Sequence, residues 1–145
     1  MALERDASAV WTGDLRGGNG RFSMSSGTLK DTPYSFATRF ENAPGTNPEE
    51  LIAAAHASCY SMALAATLSG RGFQPQEVRT HATCIVEPQA GGGFKITRMR
   101  LNAHANVPGL ANDQFQEIAK AAEASCPVSN ALRGAVTIEL TAALA

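Results

Sequence analysis

Gly45-Thr46-Asn47-Pro48-Glu49-Glu50-Leu51-Ile52-Ala53-Ala54-Ala55-His56-Ala57-Ser58-Cys59-Tyr60-Ser61-Met62-Ala63-Leu64 decides how this chain folds. Asn47 is a good N-cap, Pro48 suits the first helical position, and Glu50 stands where a capping-box acid reaches back. Glu49 and Glu50 put negative charge at the positive end of the helix dipole. No breaker follows until Gly70 and Gly72, so the reading is a helix over 48–69. Leu51, Ile52, Ala55, Ala57, Cys59, Tyr60, Met62, Ala63, Leu64, Ala66 and Leu68 cover nearly every direction around its axis. A helix apolar on all sides is a buried one. One thiol, Cys59, sits in its middle.

Bulk properties narrow the function classes. With 145 residues the chain suits a single domain, 1–145, able to bury roughly two thirds of its unfolded surface. The net charge is −1 and only 17% of residues are charged, which offers no lure to nucleic acid or an anionic membrane. The start, Met1-Ala2-Leu3-Glu4-Arg5-Asp6, lacks the apolar centre of a signal peptide. No apolar run approaches the ~20 residues of a membrane span. The expectation is a cytoplasmic protein. Cys59, Cys84 and Cys126 are too few for a secreted disulfide framework, and in a reducing compartment any pairing among them is transient and chemical.

Outward from the helix, residues 8–40 read as a β-meander. Ser8-Ala9-Val10-Trp11-Thr12, Arg21-Phe22-Ser23-Met24 and Thr28-Leu29 are short strands between glycine-rich turns. Tyr34-Ser35-Phe36-Ala37-Thr38-Arg39-Phe40 alternates with period two and reads as a further strand. After the central helix, 78–86 is a strand, Pro88 to Gly93 a hairpin loop, and 94–107 a long second strand. A bulge is expected between Ile96 and Met99, where the pattern slips. A helix capped by Asn112 or Asp113 carries Phe115, Ile118, Ala119 and Ala122 on one face. A short helix after Cys126 stops at Gly134, and 135–140 is the final strand. The order implies an α+β fold with mostly antiparallel sheets around a long buried helix.

The candidates for chemistry are few. Cys126 precedes Pro127 and so caps a helix, where the dipole and open amides favour a thiolate; a buried cap in a tight turn is the bland alternative. Cys59 lies far from either end of its own helix, and activating it calls for an external cation. Arg39 is a candidate, though the alternation also suits a solvated sheet face. His56 shares a helix face with Cys59, which permits a Cys-His nucleophile pair, half a metal site, or an ordinary buried histidine. Against a metal, His81 and Cys84 are three apart on a strand and point to opposite faces. Cys84 reads as a small apolar packing residue. Gly91 to Gly93 lack a phosphate-binding pattern.

Taken together, Gly45 to Leu51, Ala54 to Leu64 and Cys126-Pro127-Val128-Ser129 resemble the OsmC/Ohr family, in its OsmC branch. Trp11-Thr12-Gly13-Asp14 and Tyr34 to Glu41 extend the likeness over nearly the whole chain. The resemblance implies a thiol peroxidase acting on organic hydroperoxides in oxidative and osmotic stress defence, without cofactor or metal. Cys59 is then the peroxidatic cysteine and Cys126 the resolving one. Arg39 matches the arginine that activates the thiolate, and Glu49 the glutamate that orients it. Arg39, Phe36, Tyr60 and Met62 are expected to meet the substrate. His56 stands where the Ohr branch has an aromatic residue. The reductant implied is a dithiol such as dihydrolipoyl groups.

One constraint follows from these roles. Glu49 and Cys59 are ten residues apart, about 15 Å along a straight helix. Either the helix breaks between them, or the glutamate comes from the antiparallel helix of a second copy. An all-round apolar helix in a small chain also asks for a covering layer. Both point to an intertwined homodimer, which the resemblance implies as well. Two other readings compete: a Cys-His hydrolase or transferase using Cys59 and His56, and a non-enzymatic stress-induced binding protein.

Overall fold

A computed structural model describes residues Met1–Ala145. The elements run β1 (Ala7–Thr12), β2 (Asn19–Met24), β3 (Thr32–Tyr34), α1 (Phe36–Phe40), α2 (Pro48–Gly70), β4 (Glu77–Pro88), β5 (Phe94–Asn106), α3 (Asn112–Ser125), α4 (Pro127–Leu132) and β6 (Thr137–Leu144). They form two compact units, Met1–Leu51 and Ile52–Ala145, and α2 starts in the first and continues through the second. The class is α+β, with two three-stranded sheets and a long helix.

In the first unit β1, β2 and β3 form an antiparallel sheet in sequence order. Gly20 pairs with both Trp11 and Tyr34. A Cβ there would stand 2.5 Å from the Tyr34 ring and 2.8 Å from the Trp11 ring, so only glycine lets the two aromatics close over the central strand. Their centroids are 5.6 Å apart.

Two sequence expectations fail in this unit. Thr28 and Leu29 lie in the turn after β2, and the third strand begins only at Thr32, after Asp31 takes up a positive φ of 48°. Of the stretch Tyr34 to Phe40 only Tyr34 is strand, as the end of β3: α1 takes over from Phe36 onward. Ser35 and Thr38 form a reciprocal capping box, with Thr38 N donating to Ser35 Oγ at 3.3 Å and Ser35 N to Thr38 Oγ1 at 2.9 Å. Phe36 and Phe40, which looked like one face of a strand, are also one helical turn apart, and their rings meet at 5.1 Å.

The long helix begins as expected. Glu50 N donates to Asn47 Oδ1 at 2.8 Å, while Asn47 Nδ2 reaches back to the Thr38 carbonyl at 2.9 Å and ties the cap to α1. The Glu50 carboxylate does not close a capping box; it accepts from Thr46 Oγ1 at 2.8 Å. The helix is not buried all round within one chain. His56, Tyr60, Leu64 and Leu68 form the buried stripe, while Ala54, Ala55, Ser58, Met62 and Ala66 are exposed. Contrary to the sequence expectation, α2 is long and apolar enough to cross a membrane by length and composition alone.

In the second unit β5 is central, antiparallel to β4 and parallel to β6. Ile85 faces Arg98 and Val86 faces Ile96, so Thr97 is the extra residue of a bulge, inside the expected interval. Met99, Leu101, Ala103 and Ala105 alternate inward from β5. Leu101, Ala103 and Ala105 meet Tyr60, Leu64 and Leu68 of α2 and the face of α3 carrying Phe115, Ile118 and Ala122. That α3 face is the one its periodicity prescribes; its N-cap, however, is Ala111, with no side-chain hydrogen bond.

Candidate active site

The second unit joins the middle of α2 to the start of α4. Proline disfavours helical backbone in the residue before it. Pro127 therefore interrupts the chain at Cys126, whose extended geometry (φ −67°, ψ 118°) makes it both C-cap of α3 and N-cap of α4. Asn130 N donates to the Cys126 carbonyl at 3.0 Å and opens the new helix. This turn carries Cys126, fully buried, against Cys59, which is half-buried on α2. Both are free thiols, near enough to act on one another, and the Val128 backbone amide acts on Cys59.

Three influences act on the Cys59 thiol. Burial raises its pKa above the ordinary value, the Val128 amide opposes that by stabilising the thiolate, and Cys126 raises it further. Cys59 lies too far from either end of α2 for its own helix dipole to help it. The structure supplies an amide from another helix's first turn. Only the fold reveals this, because Val128 lies far along the chain and carries no side-chain signal.

His56 is not hydrogen-bonded to Cys59. Its Nε2 lies 2.7 Å from Ser129 Oγ, and its Nδ1 is buried without a partner. Burial lowers its pKa, with Glu123 partly offsetting, and the ring is neutral at pH 7. A Cys-His nucleophile pair is absent from this geometry. No group of three or more His, Cys, Asp or Glu side chains is gathered to hold a metal ion.

In the first unit Arg39 occupies the last turn of α1 and Glu49 the first turn of α2. Arg39 Nη2 donates to Glu49 Oε1 at 2.7 Å, and its Nε lies 3.0 and 3.1 Å from the two carboxylate oxygens. The guanidinium carbon also sits 4.9 Å from the Phe40 ring centroid. Beside this pair is a cavity of about 430 Å³ lined by Trp11, Leu15, Tyr34, Phe36, Arg39 and Phe40. Phe36 thus faces a cavity, and Trp11, Leu15 and Phe40 join it unannounced by any local pattern. Of the other expected substrate contacts, Met62 is 75% exposed. Tyr60 is fully buried, with its hydroxyl donating to the Ala119 carbonyl at 3.0 Å.

Residues 40–141 match the family model of OsmC-like proteins. The chain belongs to the OsmC-like family. It is 42% identical over 139 residues to Peroxiredoxin OsmC of Escherichia coli, covering 96% of each chain. It is 30% identical over 126 residues to the organic hydroperoxide resistance protein OhrB of Bacillus subtilis, covering 86% of this chain and 90% of that one. The fold superposes on the crystal structure of an organic hydroperoxide resistance protein from Elizabethkingia anophelis with a TM-score of 0.77, at 26% identity and full coverage of both chains.

Proposed function

We propose that this OsmC-like protein is a thiol peroxidase that reduces organic hydroperoxides to alcohols, with Cys59 as peroxidatic and Cys126 as resolving cysteine. The observation that carries the reading is the contact of the two thiols, with the Val128 amide on Cys59. The names of the relatives from Escherichia coli and Bacillus subtilis agree with it.

The Cys59 thiolate attacks the terminal peroxide oxygen. The O–O bond breaks, the alkoxide leaves and takes a proton as the alcohol, and the sulfur becomes a sulfenic acid. The Cys126 thiol then displaces hydroxide, forming the disulfide and releasing water. A dithiol, such as a dihydrolipoyl group in the reducing cytoplasm, returns both thiols and leaves as its own disulfide.

Arg39 is the cation that favours the thiolate and orients the peroxide, and Glu49 holds its guanidinium fork in place. Because α2 is unbroken, about 15 Å of helix rise separates Glu49 from Cys59 in one chain. The pair therefore acts on the Cys59 of a second copy, in a homodimer whose interface covers the exposed face of α2. Phe36 and the aromatic cavity beside Arg39 take the organic part of the substrate, with Met62 contributed across the interface.

Intact mass and a free-thiol count after one equivalent of cumene hydroperoxide test the reading. The parent loses two hydrogens and two thiols, Cys59→Ser does not react, and Cys126→Ser accumulates sulfenic and higher acids. A parent that keeps all its thiols refutes it.

A further inference from the structure

The two cysteines approach each other from different helices, so something must hold α4 on α2. The N-terminal turn of α4 carries three groups that bear on α2: the Cys126 thiol, the Val128 amide and the Ser129 hydroxyl. Ser129 is fully buried and meets His56 Nε2 at 2.7 Å; His56 is fully buried too and lies one turn before Cys59 on α2. This bond joins residues 73 apart in sequence, and its ends neighbour those of the Val128–Cys59 contact: Ser129 follows Val128, and His56 precedes Cys59 by one helical turn.

We propose that His56 is a positioning residue: through Ser129 it locks the first turn of α4 onto α2, fixing the Val128 amide and the Cys126 thiol against Cys59. The inference deepens the two-cysteine reading and rests on it for the disulfide step alone.

The protonation of the ring fits this role. Buried His56 Nδ1 has no partner, and an orphaned buried N–H is the rarer and costlier defect than an orphaned lone pair. The proton therefore belongs on Nε2, which donates to Ser129 Oγ. Burial keeps the imidazole neutral; Glu123 is the charged group acting on it, and it does not overcome the desolvation. A neutral donor locks the helices without placing a second buried charge beside a thiolate.

The test uses Ser129→Ala, His56→Leu and His56→Gln in the full-length protein, with urea unfolding to establish that each is folded. A glutamine amide can still donate from the Nε2 position; leucine cannot. The first readout is the pH profile of Cys59 alkylation by iodoacetamide, which needs no peroxide. Ser129→Ala and His56→Leu are expected to alkylate about tenfold more slowly at neutral pH, with the profile moved to higher pH, and His56→Gln to stay close to the parent. The second readout is the product of one equivalent of peroxide. The same two variants should divert Cys59 from the disulfide to the sulfinic acid, and His56→Gln should not.

A parent-like profile in Ser129→Ala overturns the proposal, as does one in a folded His56→Leu, or a defect in His56→Gln as large as that of Ser129→Ala. If His56→Leu does not fold, the other two variants decide. A parent that alkylates at Cys59 yet forms no disulfide with peroxide refutes the peroxidase reading instead, and the alkylation profiles still judge the positioning role.

Discussion

Arg39 grips Glu49 with a guanidinium fork, Nη2 to Oε1 at 2.7 Å and Nε to both carboxylate oxygens, joining the end of α1 to the start of α2. The two partners are unequally solvated: the arginine side chain is 39% exposed and the glutamate 10%. Losing either one therefore leaves a different problem behind. Arg39→Ala strands a carboxylate that water hardly reaches and should cost about 1–3 kcal/mol. Glu49→Gln leaves an arginine that water can still solvate and should cost no more than about 1 kcal/mol. Urea unfolding of the two variants measures the asymmetry; equal losses would mean the pair is solvated alike on both sides.

Burial raises the Cys59 pKa, so at pH 7 the neutral thiol dominates unless a cation approaches. Only the thiolate reacts, and below the pKa its fraction rises about tenfold per pH unit. In the proposed dimer the partner copy supplies that cation through Arg39. Arg39→Met is then expected to move the alkylation profile of Cys59 to higher pH and to slow the reaction at pH 7. Superimposable profiles for parent and variant would remove Arg39 from thiolate activation.

The exposed face of α2 offers a direct probe of assembly. Met62 is 75% exposed in the single chain, on the face we assign to the dimer interface. Met62→Glu puts a charge where the second copy would bury it, and sedimentation velocity at micromolar concentration should show monomer in place of dimer. A parent that sediments as a monomer with full peroxidase activity contradicts the shared site.

Tyr60 separates a core role from a substrate role. Its fully buried hydroxyl donates to the Ala119 carbonyl, and burial raises its pKa so that it stays protonated at every working pH. Tyr60→Phe keeps the ring and removes one buried hydrogen bond. A loss of about 1 kcal/mol in unfolding free energy, with KM for cumene hydroperoxide unchanged, is the expected outcome. A raised KM at unchanged stability would restore Tyr60 to the substrate site.

The sequence by itself determined the long helix, its Asn47 cap, the Thr97 bulge interval, the buried face of α3 and the Cys126 cap of α4. Each rests on periodicity or on backbone chemistry that acts within a few residues, so local sequence suffices. It also carried the family resemblance, through two motifs around Cys59 and Cys126. It misread Phe36 to Phe40, because aromatic residues four apart share one face of a strand and one face of a helical turn alike; the Ser35–Thr38 capping box breaks the tie.

Only the tertiary structure decided the surroundings of the thiols. The amide on Cys59 comes from Val128, and the partner of His56 is Ser129. Backbone amides carry no residue signature, and contacts between residues some 70 positions apart depend on how helices pack rather than on any local pattern. The same limit governs α2: composition shows a helix apolar on every side, and only the fold shows which stripe the chain itself buries and which face it leaves exposed.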